Sequence, residues 1–72
     1  MTIQVFSVGN RVRVTSYSPF RGFRGTVRTV HQILLLEEFF CFYHITLEGA
    51  SIQEPIWFEG EEVELVTPYE QG

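Results

Sequence analysis

The sequence of 72 residues contains no lysine, no aspartate and only one cysteine. Because Cys41 has no second cysteine to pair with, a disulfide within the chain is excluded. No apolar run approaches the roughly 20 residues that a membrane-spanning helix requires, and no secretory signal pattern opens the sequence. These absences predict a soluble, cytoplasmic protein with no membrane span, whose stability depends on a hydrophobic core.

The basic and acidic residues are separated along the sequence. All five cations are arginines and precede residue 29, whereas all nine anions are glutamates and follow residue 36. The net charge of −4 therefore combines a basic first half with an acidic second half. Two interpretations remain open: a bipolar surface that steers a partner, or ion pairs between arginines and glutamates on neighbouring strands.

Hydrophobic residues make up 44% of the sequence and aromatic residues 15%, which excludes intrinsic disorder. A chain of this length forms one domain, and we expect its core to span about residues 8–67, followed by a frayed tail at 68–72. The apolar content exceeds the need of one small core. We therefore expect part of it to lie at an interface.

Apolar and polar residues alternate in several segments, the pattern of strands with one buried face. Five strands are predicted over residues 11–15, 25–33, 39–47, 56–58 and 63–65. Val27 and Val30 lie three positions apart, which predicts a bulge or a bend in the second strand. The glutamate-rich segment before the last strand is expected to form a 3₁₀ turn, after which Val63 and Leu65 close the core. Residues 1–7 also alternate, as a sixth strand or as an irregular lead-in.

The middle of the sequence is unusually apolar. Two apolar runs, residues 33–36 and 39–43, flank Glu37 and Glu38. This pattern favours a β-hairpin with the two glutamates at its tip, although neither is a preferred turn residue. A short helix over residues 34–39 is the alternative. Both faces of the third strand begin apolar, so it is either covered on both sides near the tip or exposes aromatic side chains there.

Five short strands, a long first loop and a turn before the last strand are typical of a small SH3-like barrel, and we predict this all-β fold. The segment Gly25-Thr26-Val27-x-x-Val30 resembles the glycine-containing strand of KOW-type modules, and this resemblance implies a nucleic-acid contact. The fold itself hosts many roles and specifies none of them.

A second resemblance covers roughly residues 8–67. The spacing Gly9-x-x-Val12-x-Val14, then Gly-Thr-Val, then a late Glu-x-Val-Glu-Leu-Val is similar to small SH3-like subunits of photosynthetic electron-transfer complexes. Those subunits are the ferredoxin-docking subunit of photosystem I, the variable chain of ferredoxin–thioredoxin reductase and the ferredoxin-binding subunit of the NDH complex. The resemblance implies a small subunit that offers basic residues to an acidic partner. The arginines that lie where such residues could sit are Arg11, Arg13, Arg21 and Arg24.

The long loop before the second strand interleaves aromatic side chains with arginine. The candidate partner-binding residues are Tyr17, Phe20, Arg21, Phe23 and Arg24, together with Trp57 as a side chain lining a groove beside this loop. Aromatic residues and arginine are enriched at interface centres, so we predict docking of an acidic protein partner. The same residues suit base stacking and phosphate contacts, so nucleic-acid binding is the alternative. In a third interpretation a phenylalanine of the loop caps the barrel and the arginines lie in water or pair with glutamates.

The apolar hairpin is the second candidate surface. Its candidate self-association residues are Leu34, Leu35, Leu36, Phe39, Phe40 and Phe42. This set is too apolar to remain bare on a soluble monomer, so we predict a homodimer formed through the hairpin. The alternative is that the hairpin folds back onto the barrel as a second small core.

Catalytic and metal sites are not indicated. Cys41 and His44 lie three residues apart on one predicted strand, so their side chains point to opposite faces. Cys41 also lies among phenylalanines, where a thiol is more often part of a core than reactive. With His31 included, these residues still lack the paired spacing of a zinc site. We therefore predict a protein that is not an enzyme and that needs no metal and no cofactor.

Overall fold

The computed structural model describes residues 5–67, and this part of the chain contains five strands and one 3₁₀ turn. In chain order the elements are β1 (Arg11–Val14), β2 (Arg24–Leu35), β3 (Glu38–Leu47), β4 (Ile56–Glu59), the 3₁₀ turn (Gly60–Glu62) and β5 (Val63–Leu65). The strands pair antiparallel in one sheet with the order β4-β3-β2-β1-β5. The predicted all-β fold of five strands is confirmed, and the strand order is consistent with an SH3-like barrel.

The strict alternation of valine and arginine explains β1. Val12 and Val14 are fully buried, whereas Arg11 and Arg13 lie on the other face and are partly exposed. Successive side chains of a strand point to opposite faces, so one face of β1 joins the core and the other carries charge. This face assignment agrees with the expectation from sequence.

The core begins before β1, at Phe6, which is almost completely buried. Residues 5–10 form no strand, so the sixth strand considered over residues 1–7 is not present in the described part of that segment. Residues 1–4, like the tail at 68–72, lie outside the described residues. The hydrophobic core includes Phe6 as well as residues of the predicted span, because the ring of Phe6 packs edge-to-face on Tyr43 at 5.1 Å.

The remaining core residues come from all five strands and from the residue after β5. They are Val12, Val14, Val27, Tyr43, Ile45, Leu47, Phe58, Val63 and Val66. Each buried side chain of this kind contributes about 1.5–3 kcal/mol relative to exposure. This set is small, as expected for a chain that buries only about 60% of its unfolded surface.

The pairing of β2 with β3 shifts register between Val27 and Thr29. The extra residue, Arg28, forms the bulge that the spacing of Val27 and Val30 predicts, so this prediction is confirmed. Just before the bulge, Gly25 lies so close to β3 that an added Cβ would be 2.5 Å from the Thr46 carbonyl oxygen. Only glycine permits this approach of the two backbones.

The hairpin between β2 and β3 turns on Leu36 and Glu37, which have φ angles of 51° and 64°. Two residues with positive φ between paired strands define a type I′ turn. The predicted hairpin is therefore present and the alternative helix over residues 34–39 is wrong. The turn lies one residue earlier than predicted, because Glu38 already pairs with Leu35 across the ladder.

The 3₁₀ turn before β5 is present as predicted. The backbone N–H of Glu59 donates to Oε2 of Glu62 at 2.7 Å, which stabilises the first turn. Val63 is buried, but Leu65 is 41% exposed, so its predicted role in the core is wrong. β5 ends at Leu65, and the next residue, Val66, is buried in its place. The N–H of Val66 donates a hydrogen bond to the Arg11 carbonyl at 2.9 Å.

Candidate interaction surfaces

The distal part of the β2–β3 hairpin stands apart from the rest of the sheet. β1 pairs with β2 only at residues 24–26, and β4 pairs with β3 only at residues 42–45. Among the described residues, the segment between these limits is a two-stranded ribbon. We call residues 29–41 the hairpin arm.

The hairpin arm exposes large apolar side chains on both of its faces. Leu34 and Phe39 are cross-strand partners and are each 60% exposed, and Leu36 in the turn is 89% exposed. Leu35 and Phe40 extend the apolar surface on the opposite face. The alternative of a second small core is wrong for these five side chains, because they lie in solvent rather than against the barrel. The remaining candidate, Phe42, is partly buried at the base of the arm.

The loop before β2 divides its side chains between the core and solvent. We call residues 16–24, which are this loop and the first residue of β2, the arginine loop. Phe20 packs edge-to-face on Phe58 with ring centroids 6.1 Å apart, and Phe23 also packs against the core. Tyr17 is 95% exposed. The loop therefore caps the core with two aromatic rings and presents Tyr17 and Arg21 to solvent.

Two of the five arginines form ion pairs with glutamates of the second half of the chain. Arg11 Nη2 lies 2.6 Å from Glu48 Oε1, and Arg13 pairs with Glu64, its cross-strand partner. The Arg13–Glu64 pair joins the neighbouring strands β1 and β5, so the cross-strand interpretation of the charge separation is confirmed for this pair. Glu48 follows the end of β3, which is not a neighbour of β1, so its ion pair with Arg11 is not of this kind. Within residues 5–67 no ion pair is formed by the other three arginines, Arg21, Arg24 and Arg28.

Trp57 lies on the outer face of β4, opposite the buried Phe58, and not with the aromatic side chains of the arginine loop. Its ring stacks on His44 with centroids 4.3 Å apart and planes 4° apart, and His31 meets it edge-on at 6.3 Å. Trp57, His31, Ile33 and Phe42 line a shallow apolar hollow of about 270 Å³. This cluster is not predictable from strand parity, which does not show which strands are neighbours.

The cysteine and the histidines of the chain lie on opposite faces of the sheet. Cys41 packs against the core, whereas His44 stacks on Trp57, and its Nε2 lies 3.1 Å from the Pro55 carbonyl oxygen. No group of three His, Cys, Asp or Glu side chains within residues 5–67 is placed to hold a metal ion.

The phenol of Tyr43 has a shifted pKa. Burial raises the pKa of its phenol above the ordinary value of 10.0, and the neighbouring Cys41 thiol raises it further. The backbone N–H of Phe6, which donates to the phenol oxygen, partly opposes this shift. Tyr43 is enclosed in the core, and burial is the largest cause of this shift.

The described residues contain no helix that is long and apolar enough to cross a membrane. No protein-family model, no curated protein sequence and no solved structure matches this chain. The geometry of the hairpin arm and of the arginine loop therefore carries the functional argument.

Proposed function

We propose that this protein is a non-enzymatic interaction module that self-associates through the hairpin arm. The observation that supports this proposal is the exposure of large apolar side chains on both faces of the arm, from Ile33 to Phe40. Burying each such side chain in an interface is worth about 1.5–3 kcal/mol, whereas soluble monomers rarely expose contiguous patches of this kind.

The arm is also ordered before it binds. Its two strands pair continuously from Thr29 and His44 to Leu35 and Glu38. A surface that is already folded loses little conformational entropy on association, so more of the apolar burial remains as binding free energy. The two glutamates of the tip, Glu37 and Glu38, give this apolar surface a charged border, as interface rims commonly have.

The test compares masses in solution by light scattering for the wild type and the double variant Leu35→Glu, Phe40→Glu. Both side chains are exposed, so the variant should fold, which circular dichroism checks. The matched control is Val8→Glu with Ile52→Glu, which adds the same charge at exposed apolar positions outside the arm. A dimeric wild type and control with a folded monomeric arm variant support the proposal, and a monomeric wild type overturns it.

A second contact, to an acidic protein, is proposed for the arginine loop. It is supported by Arg21 and Arg24, which form no ion pair within residues 5–67, and by Tyr17, which is exposed in the same segment. Fluorescence anisotropy with a labelled polyglutamate peptide tests this contact. Arg21→Glu should abolish binding, whereas the same charge change at Arg28, outside the loop, should leave it. Tighter binding to a single-stranded oligonucleotide, with a steep salt dependence, would instead favour the KOW-like alternative.

A further inference from the structure

The edge of β2 that faces β1 is only partly covered. β1 pairs with β2 as far as Thr26. The next residue, Val27, accepts a hydrogen bond from the N–H of Gly9 at 2.8 Å and donates one to the carbonyl of Asn10 at 3.0 Å. From residue 29 to residue 35, no strand of the described chain pairs with β2 on this side. Such an edge presents unpaired backbone donors and acceptors and is a template for another strand.

The opposite edge of the arm is less suitable. β3 is free there only at residues 38–41, because β4 begins to pair at Phe42, opposite Glu59. A second copy that paired along this edge would bring its own Glu37 and Glu38 towards Glu59. Like charges placed together in this way are destabilising, so the β2 edge is favoured.

We propose that two copies of this chain pair antiparallel along the free edge of β2, about a two-fold axis at Gln32. This proposal deepens the proposed function and rests on it. The occupant of the edge is thus a second copy of the same edge, and the two sheets join into one. Isologous two-fold contacts of this type are the commonest in homodimers.

The position of the axis follows from the geometry of strands. Directly opposed residues of an antiparallel pair have their side chains on the same face of the sheet. A two-fold axis normal to the sheet also leaves every side chain and its symmetry copy on the same face. A residue can therefore oppose only residues an even number of positions away in the sequence, or itself. One residue must therefore oppose its own copy. The free edge runs from residue 29 to residue 35, and its midpoint is Gln32, so this register uses the whole edge.

This register places apolar side chains of the two β2 strands side by side, whereas Phe39 and Phe40 on β3 lie outside the new ladder. Leu34 comes to lie opposite Val30 of the second copy on one face, and Ile33 opposite His31 on the other. The two copies of Gln32 meet at the axis, where each amide offers both a donor and an acceptor to its equivalent. Gln32 therefore opposes no apolar side chain in this register.

Charge complementarity supports the same arrangement. Arg28 is exposed at the base of the arm and forms no ion pair within residues 5–67, whereas Glu37 is exposed at the tip. In the antiparallel pair, the base of one arm meets the tip of the other. Arg28 then opposes Leu36 of the second copy and lies next to its Glu37, twice in each dimer. Such pairs at an interface rim fix the register and the choice of partner.

A cysteine placed on the axis tests this register directly. Opposed residues in an antiparallel pair have Cα atoms about 4.5–5.5 Å apart, which is within disulfide reach. Gln32→Cys in a Cys41→Ser background should therefore form a covalent dimer under mild copper–phenanthroline oxidation. The matched control is Thr29→Cys in the same background, on the same edge but opposite residue 35 rather than its own copy. It should remain mostly uncross-linked, and a mixture of Thr29→Cys and Leu35→Cys chains should cross-link.

Charge exchange supplies a second readout of the same register. Arg28→Glu should raise the dissociation constant of the dimer by about tenfold, and adding Glu37→Arg should restore it. If the wild type is a dimer but Gln32→Cys cross-links no better than Thr29→Cys, the register is wrong while self-association stands. If the wild type is a monomer, the proposed function itself fails.

Discussion

The backbone N–H of Phe6 donates a hydrogen bond to the hydroxyl of Tyr43, 3.1 Å away and 37 residues later in the sequence. The rings of the same two residues pack edge-to-face. This double contact fixes the segment before β1 on β3 and closes one side of the core. The buried hydroxyl of Tyr43 therefore has a hydrogen-bond partner, although the side chains around it are apolar.

Tyr43→Phe should destabilise the protein although it preserves the ring. The variant leaves the buried N–H of Phe6 without its partner, and such a loss is worth about 1–3 kcal/mol. Urea unfolding followed by tryptophan fluorescence measures the change. Tyr17→Phe, which removes an exposed hydroxyl, is the control and should unfold as the wild type does. Equal midpoints for the two variants would contradict the structural role of this hydrogen bond.

Alkaline pH should unfold the protein through Tyr43. The pKa of its phenol is raised in the folded state, so the folded protein holds this proton more tightly than the unfolded chain does. The contribution of Tyr43 to stability should therefore be fully present below the ordinary value of 10.0 and be lost as the pH rises above it. Urea midpoints between pH 8 and pH 11 should show this fall in the wild type and a weaker one in Tyr43→Phe. A parallel decline in both would assign the effect to other groups.

Gly25→Ala should be among the more damaging single changes. The new methyl group would meet the Thr46 carbonyl oxygen at 2.5 Å and the Cγ2 atom of Ile45 at 2.7 Å, so the two strands must separate. Overpacking of this kind costs about 1–3 kcal/mol. Thermal unfolding checks the value against Arg28→Ala, an exposed position in the same strand, with both changes made in the Leu35→Glu, Phe40→Glu background where self-association does not contribute. A Tm close to that of the control would show that the sheet accommodates a Cβ here.

Substitutions in the hairpin turn should raise the stability of the chain. Leu36 and Glu37 both hold positive φ, a conformation that is unfavourable for most side chains and that Asn-Gly adopts readily. Leu36→Asn with Glu37→Gly should stabilise the chain by about 1 kcal/mol. The measurement is best made in the Leu35→Glu, Phe40→Glu background, where self-association does not contribute. Glu38→Gly, one residue beyond the turn, is the control and should not stabilise.

The features that the sequence predicted correctly are those set by local pattern. The alternation around Val12 and Val14 determined which face of β1 is buried, and the spacing of Val27 and Val30 located the bulge. The glutamate-rich 3₁₀ turn followed from a short irregular segment between two strands. In each case neighbouring residues alone decide the backbone conformation, so a single sequence suffices.

The features that the sequence did not predict depend on distant contacts. Phe6 is buried because Tyr43 lies above it, and nothing in its own segment indicates this. The turn falls on Leu36 and Glu37 because the register of the two long strands outweighs the poor turn propensity of these residues. Trp57 joins the two histidines only once β4 lies beside β3 and β3 beside β2.

The apolar hairpin arm is the feature on which the functional account depends. Its most direct test is the weight-average mass of the wild-type protein, measured by light scattering over a concentration series at neutral pH. We predict a mass that rises towards twice the monomer value of 8.4 kDa as the concentration increases. A mass that stays at the monomer value at all concentrations would contradict self-association and would leave the arm without the partner that this account assigns to it.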